Sequence, residues 1–153
     1  MFSFPPTFIL RHRKENLKKC SLRGLESRSD IHFFTYPKDV LPDLSQHILL
    51  TIDAPPLSFS DQKYGLFLID GTWKHAEKMH SQLATPHHFQ KRSIPQCYYT
   101  AYPRRQEDCS DPTRGLASIE ALYIAYHILN RDTEGLLDSY HWKVPFLVKN
   151  GLF

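Results

Sequence analysis

Only three of the 153 residues are cysteine (Cys20, Cys97, Cys109), an odd number with no CxxC spacing. That argues against a disulfide framework and leads us to expect a reduced, cytoplasmic protein. No apolar run is long enough to span a membrane, and the opening MFSFPPTFIL is too short, and broken by Pro5-Pro6, for a signal peptide. The chain also lacks internal repeats, low-complexity tracts and any linker able to divide it, so one domain over residues 1–153 is expected. Nine histidines are present without metal-binding spacing. His75 and His80 are five apart and miss the i,i+4 face that zinc helices use, and the adjacent His87-His88 diverge, so no metal is expected. Cys109 lies among Glu107, Asp108 and Asp111, a setting that opposes a thiolate nucleophile.

Large charge of one sign is missing too: the net charge is +3. Its distribution is uneven, however. Residues 1–30 carry Arg11, Arg13, Lys14, Lys18, Lys19, Arg23 and Arg28 against Glu15, Glu26 and Asp30, a local net of +4. A basic cluster on a nearly neutral body suits a polyanion such as RNA, although a solvated helix face gives the same pattern. Lys91-Arg92 and Arg104-Arg105 are smaller clusters of this kind.

What is present is an alternation of short apolar runs and helical stretches, which argues for an α/β sheet. Strands are expected at Thr7–Leu10, Ile31–Tyr36, Ile48–Ile52, Leu66–Ile69 and near Cys97–Thr100. A basic, helical stretch is expected through Arg28, with further helices over Trp73–Leu83, Leu116–Asn130 and Glu134–Tyr140. Trp142, Phe146 and Leu147 are expected to pack the C-terminus back on the body. The helix after Leu116 has apolar residues on more than one stripe and should be largely buried, with Ser118 and Glu120 near its start, where acceptors and anions are favoured. Pro103–Arg114 is polar and irregular, the kind of connection that more often serves function.

The most informative segment is Asp70-Gly71-Thr72-Trp73, directly after the Leu66–Ile69 run. It places an acid and a glycine at the carboxyl end of a buried parallel strand, where α/β sheets bind ligands. From the residues alone, Asp70 reads either as a helix cap or as a site residue, Trp73 as core or pocket, and Ser21 as a turn residue or a ligand.

Three further patches accompany it. They are His12-x-x-Glu15-x-x-Lys18-Lys19-Cys20-Ser21-x-Arg23, Arg114 before Leu-Ala-Ser-Ile-Glu-Ala at 116–121, and Tyr140-His141-Trp142-x-x-x-Phe146-Leu147-x-x-Asn150. In this order the combination resembles the DTW-domain superfamily of tRNA and small-subunit rRNA aminocarboxypropyltransferases. Asp-Gly-Thr-Trp is the spelling of the tRNA branch. The Lys-Lys-Cys-Ser run and the C-terminal patch look more like the rRNA branch, which usually has Thr in place of Ser21.

The resemblance implies a SPOUT-like α/β sheet with helices on both faces and a knotted C-terminal part. It implies S-adenosylmethionine as co-substrate and a uridine or pseudouridine in tRNA or rRNA as acceptor. Thr72 and Trp73 would line the cofactor site, with Trp73 against the sulfonium methyl. Ser21 would bind the amino-acid part, Ile94, Leu116 and Ala121 would wall the adenine pocket, and Asp70 would lie at the reacting centre. Arg11, Arg13, Lys18, Lys19, Arg23, Arg104 and Arg105 would hold RNA phosphates. The rival readings are a SPOUT-type RNA methyltransferase and a non-catalytic RNA-binding or ribosome-assembly module.

Overall fold

The computed structural model describes residues 4–14, 21–71, 73–83, 90–103 and 116–152; for Trp73, Lys74, His80, Gln82 and Leu83 it describes the backbone only. Five parallel strands form one sheet: β1 (Thr7–His12), β2 (Ile31–Tyr36), β3 (His47–Leu50), β4 (Gly65–Asp70) and β5 (Gln90–Arg92), in the order β2-β1-β4-β3-β5. Among the described residues the α-helices are α1 (Trp73–Leu83), α2 (Ser118–Ile128) and α3 (Lys143–Asn150).

The central strands β1 and β4 are buried on both faces, and alternation along them sends neighbouring side chains into two separate cores. Ile9, Ile48, Leu66 and Leu68 face the core shared with Leu122, Ala125, Tyr126 and Phe146 of α2 and α3. Phe8, Leu10, Leu49 and Phe67 face the other core, closed by Met79 of α1. Helices on both faces of an α/β sheet are thus as expected. Each fully buried Leu, Ile or Phe contributes roughly 1.5–3 kcal/mol of transfer free energy to these layers.

Three expectations are corrected. The fifth strand is the polar Gln90–Arg92 edge segment rather than 97–100, which has no regular structure. The 134–140 stretch is a series of tight turns in which Leu136, Asp138 and Tyr140 each donate N–H three residues back, with Gly135 at φ +80°. The last helix comes later, at Lys143–Asn150, and carries Pro145 in its first turn, where a missing N–H costs nothing. Of the basic stretch, the described part from Ser21 to Arg28 is turns ending in one 3-10 turn, Leu25–Ser27. Among the described residues no helix is long and apolar enough to cross a membrane, and no group of three or more His, Cys, Asp or Glu is placed to hold a metal.

Candidate cofactor and RNA site

Because all strands run parallel, their carboxyl ends share one rim. The β1 to β2 connection leads outward on one side of β1, while β4, β3 and β5 lie on the other. β1 and β4 therefore flank the crevice where such sheets bind ligands.

Asp70 ends β4 and is buried, opposite Arg11 of β1 in register. Arg11 Nε lies 3.5 Å from Asp70 Oδ2, and its Nη1 lies 3.6 Å from Glu26 Oε2. The guanidinium carbon also sits 4.3 Å from the centre of the Phe33 ring, a cation–π arrangement. From the other side Ser118, the first residue of α2, donates its hydroxyl to Asp70 Oδ1 at 2.9 Å. One residue on, the Ile119 N–H donates to Ser21 Oγ at 3.3 Å. Three chain segments that are remote in sequence thus meet at the first turn of α2.

That turn is anchored by Glu120, which is fully buried. Its Oε1 accepts from Thr100 Oγ1 at 2.6 Å and from the Ala117 N–H at 2.8 Å. Its Oε2 accepts from the Ala101 N–H at 2.9 Å and from the Tyr140 hydroxyl at 3.0 Å. A buried carboxylate is tolerated when its oxygens are filled in this way. Sequence reading placed Glu120 at the helix start but gave it no part in the site. The available signal was an acid inside the most apolar helix of the chain.

The fold has a solved counterpart. The structure of the SAM-dependent rRNA:acp-transferase Tsr3 from Vulcanisaeta distributa matches with a TM-score of 0.73 at 24% identity, covering 97% of this chain and 79% of that one. No protein-family model matches the chain, and no curated protein does.

Of the residues expected at the cofactor, Ser21 and Asp70 converge on the start of α2. Leu116 leads into that helix and Ala121 lies within it. Ile94 packs, with Leu116, against the core on the α2 side. Trp73 opens α1, but its side chain lies outside the described residues, as does Thr72 altogether. A cavity of about 320 Å³ lined by Tyr123, Leu137, Asp138 and Lys143, among others, includes none of these positions.

The cations divide differently from expectation. Arg13 and Arg23 are exposed, as a phosphate contact requires. Arg11 is corrected: it is buried, because its guanidinium is drawn between two carboxylates and an aromatic face. Arg28 is likewise engaged, with Nε and Nη2 donating to Asp30 at 2.9 and 3.0 Å. Burial raises the Asp30 carboxyl, but the Arg28 hydrogen bond and charge outweigh it and hold the group below its ordinary value. Arg92 Nε lies 3.3 Å from Asp61 Oδ2. Lys18, Lys19, Arg104 and Arg105 lie outside the described residues.

Proposed function

We propose that this chain is a cytoplasmic enzyme that transfers the 3-amino-3-carboxypropyl group of S-adenosylmethionine to a uridine or pseudouridine of tRNA or rRNA. The observation that carries the reading is a buried carboxylate, Asp70, held from two sides at the ligand rim of the sheet, in a fold shared with a SAM-dependent rRNA:acp-transferase. The reading includes membership of the DTW-domain superfamily, with its SPOUT-like arrangement and knotted C-terminal part. The motifs around Ser21, Asp70–Trp73, Leu116–Ala121 and Trp142–Asn150 support it.

The residues present fit a cationic co-substrate. Asp70 offers a carboxylate in a shielded position, where its attraction for a sulfonium is weakly screened. Ser21 Oγ accepts from Ile119 and keeps its own O–H to donate to a bound carboxylate. When bound, the sulfonium activates the first carbon of the aminocarboxypropyl arm for attack, and methylthioadenosine is the leaving group.

The chain's part is orientation and proton handling. Trp73 would cover the methyl, which would leave the arm rather than the methyl open to the acceptor nitrogen. Asp70 accepts the proton of that ring nitrogen, while Ser118 on Oδ1 and Arg11 beside Oδ2 fix the plane of the carboxylate. Thr72 would contribute to the cofactor site, Ile94, Leu116 and Ala121 would wall the adenine, and Arg13, Lys18, Lys19, Arg23, Arg104 and Arg105 would hold phosphates.

Mass spectrometry of nucleosides from RNA treated with the protein and S-adenosylmethionine tests the reading. A gain equal to the aminocarboxypropyl arm supports it, and a methyl gain instead makes the chain a methyltransferase. RNA binding without any binding of S-adenosylmethionine, measured by calorimetry, makes it a non-catalytic RNA module.

A further inference from the structure

The opposite face of the same rim carries a group that this reaction does not use. His12 ends β1 and is buried, and His75 lies in the first turn of α1. Their rings are stacked face to face, with centroids 3.8 Å apart and planes within 6°. Gly71 makes the approach possible: a Cβ there would lie 3.1 Å from Met79 Cε, 3.3 Å from His75 Cβ and 3.5 Å from His12 Cβ. Tyr36 of β2 packs on the same imidazole at 5.6 Å.

The surroundings of the pair are cationic. Exposed Arg13 and Lys14 follow His12, and exposed Lys78 lies one turn beyond His75. Burial, then His75, Arg13, Lys14 and Lys78, all push the His12 imidazole below its ordinary value. The Lys14 N–H donates to His12 Nδ1 at 3.1 Å, which leaves the ring proton on Nε2. His75 Nδ1 is buried and has no hydrogen-bond partner among the described residues. Two imidazoles and three permanent cations are therefore brought together, and among the described residues the charges that shift His12 are positive or become so, with Glu77 of α1 exposed beside Lys78.

We propose that His12 and His75, with Arg13, Lys14 and Lys78 around them, form a binding site for a phosphate group, which on the RNA reading above is a backbone phosphodiester. An arriving anion supplies a counter-charge to the described cations that act on His12. One imidazole then takes a proton from solvent and donates an additional N–H, so binding is coupled to proton uptake and tightens as pH falls. Packing alone would explain the stacking but predicts no response to anions.

The test is a nuclear magnetic resonance titration of the histidine Hε1 signals of the full chain. The probes are sulfate and a short oligouridylate, both of which keep their charge across the range. Both should shift the His12 and His75 signals, raise their titration midpoints, and bind about fivefold or more tighter near pH 5.5 than near pH 8. His75→Phe keeps a stacking ring but leaves His12 as the one imidazole of the pair, so the pH dependence should weaken. A response to sulfate without one to oligouridylate upholds the phosphate-type site and assigns it to a small ligand. Unmoved histidine signals, or a folded His75→Phe protein with full pH-dependent affinity, overturn the proposal. Calorimetry of the unaltered protein with S-adenosylmethionine separates the two readings. Absent cofactor binding with intact anion shifts sinks only the transferase, and cofactor binding with unmoved histidines sinks only the phosphate site.

Discussion

Asn150 holds Tyr99 by both of its backbone polar groups. The Tyr99 N–H donates to Asn150 Oδ1 at 2.7 Å, and Asn150 Nδ2 donates to the Tyr99 carbonyl at 2.8 Å. The carboxamide thus does for Tyr99 what a neighbouring strand does for a ladder residue. A second bond from Nδ2 to the Phe146 carbonyl, at 2.9 Å, fixes the side chain to its own helix.

Asn150→Ala should therefore cost about 1–3 kcal/mol, since it leaves two backbone groups to find water. The denaturant midpoint and faster exchange of the Tyr99 amide proton are the readouts. Asn150→Asp keeps the acceptor and should recover part of the loss. Unchanged exchange at Tyr99 in the Ala variant would show that another group holds the segment.

Asp70→Asn keeps the size of the side chain and its ability to accept from Ser118, so the fold should persist. With the carboxylate gone, the transfer rate on the proposed reading should fall by about 10²–10⁴ at saturating ligands, with S-adenosylmethionine bound more weakly than before. A loss of about tenfold or less would reduce Asp70 to hydrogen-bond positioning. Full activity would remove it from the chemistry altogether.

Arg11 and Arg23 should separate cleanly. Arg11→Met leaves the buried Asp70 without its ionic neighbour and should destabilise the protein by about 3–5 kcal/mol. Exposed Arg23, changed to Glu, should weaken RNA binding and flatten its salt dependence, with a smaller loss of stability than Arg11→Met. Thermal melts and RNA titrations at several salt concentrations measure both. A stable Arg11→Met protein with weakened RNA binding would return Arg11 to the phosphate face.

Acid should unfold the protein in two stages. His47 is buried, stacked on Phe8 at 4.2 Å, with Nε2 2.8 Å from the Pro6 carbonyl oxygen. Burial lowers its imidazole below the ordinary 6.5. The unfolded chain then binds a proton that the folded chain refuses. The stability is complete above pH 6.5 and is lost as pH falls from there through the lowered folded value. Asp30, held below 3.8, adds a second loss at lower pH, as acid protonates the partner of Arg28. Chemical denaturation at a series of pH values should show both stages. His47→Phe should reduce the first stage, leaving the share that comes from buried His12, and should not touch the second; an unchanged profile would clear His47 of the effect.

Much of this architecture was legible in the chain because apolar runs and their stops coincide. Leu66–Ile69 reads as doubly buried because Leu66 and Leu68 feed one core and Phe67 the other. β5 escaped because Gln90-Lys91-Arg92 has no apolar signal and, among the described strands, pairs with β3 alone. Cys97–Thr100 has strand composition, but Asn150, Lys149 and Glu120 satisfy its polar groups instead of a ladder. For the site, the local neighbourhood of Asp70 could be read, whereas its partners could not. Ser118 lies 48 residues away, and nothing in a basic cluster says that Arg11 turns inward while Arg13 turns out.

Glu120 sets an order of events for a chain that emerges from its N-terminus. Its four donors come from Thr100, Ala101, Ala117 and Tyr140, so the carboxylate stays incompletely solvated by protein until residue 140 has docked. The missing partner is worth on the order of 1 kcal/mol, and the first turn of α2 is unlatched in the meantime. That turn is what brings Ser118 to Asp70. Synthesis therefore delivers the described strands β1 to β5 well before Tyr140 can latch the turn that carries Ser118 to Asp70.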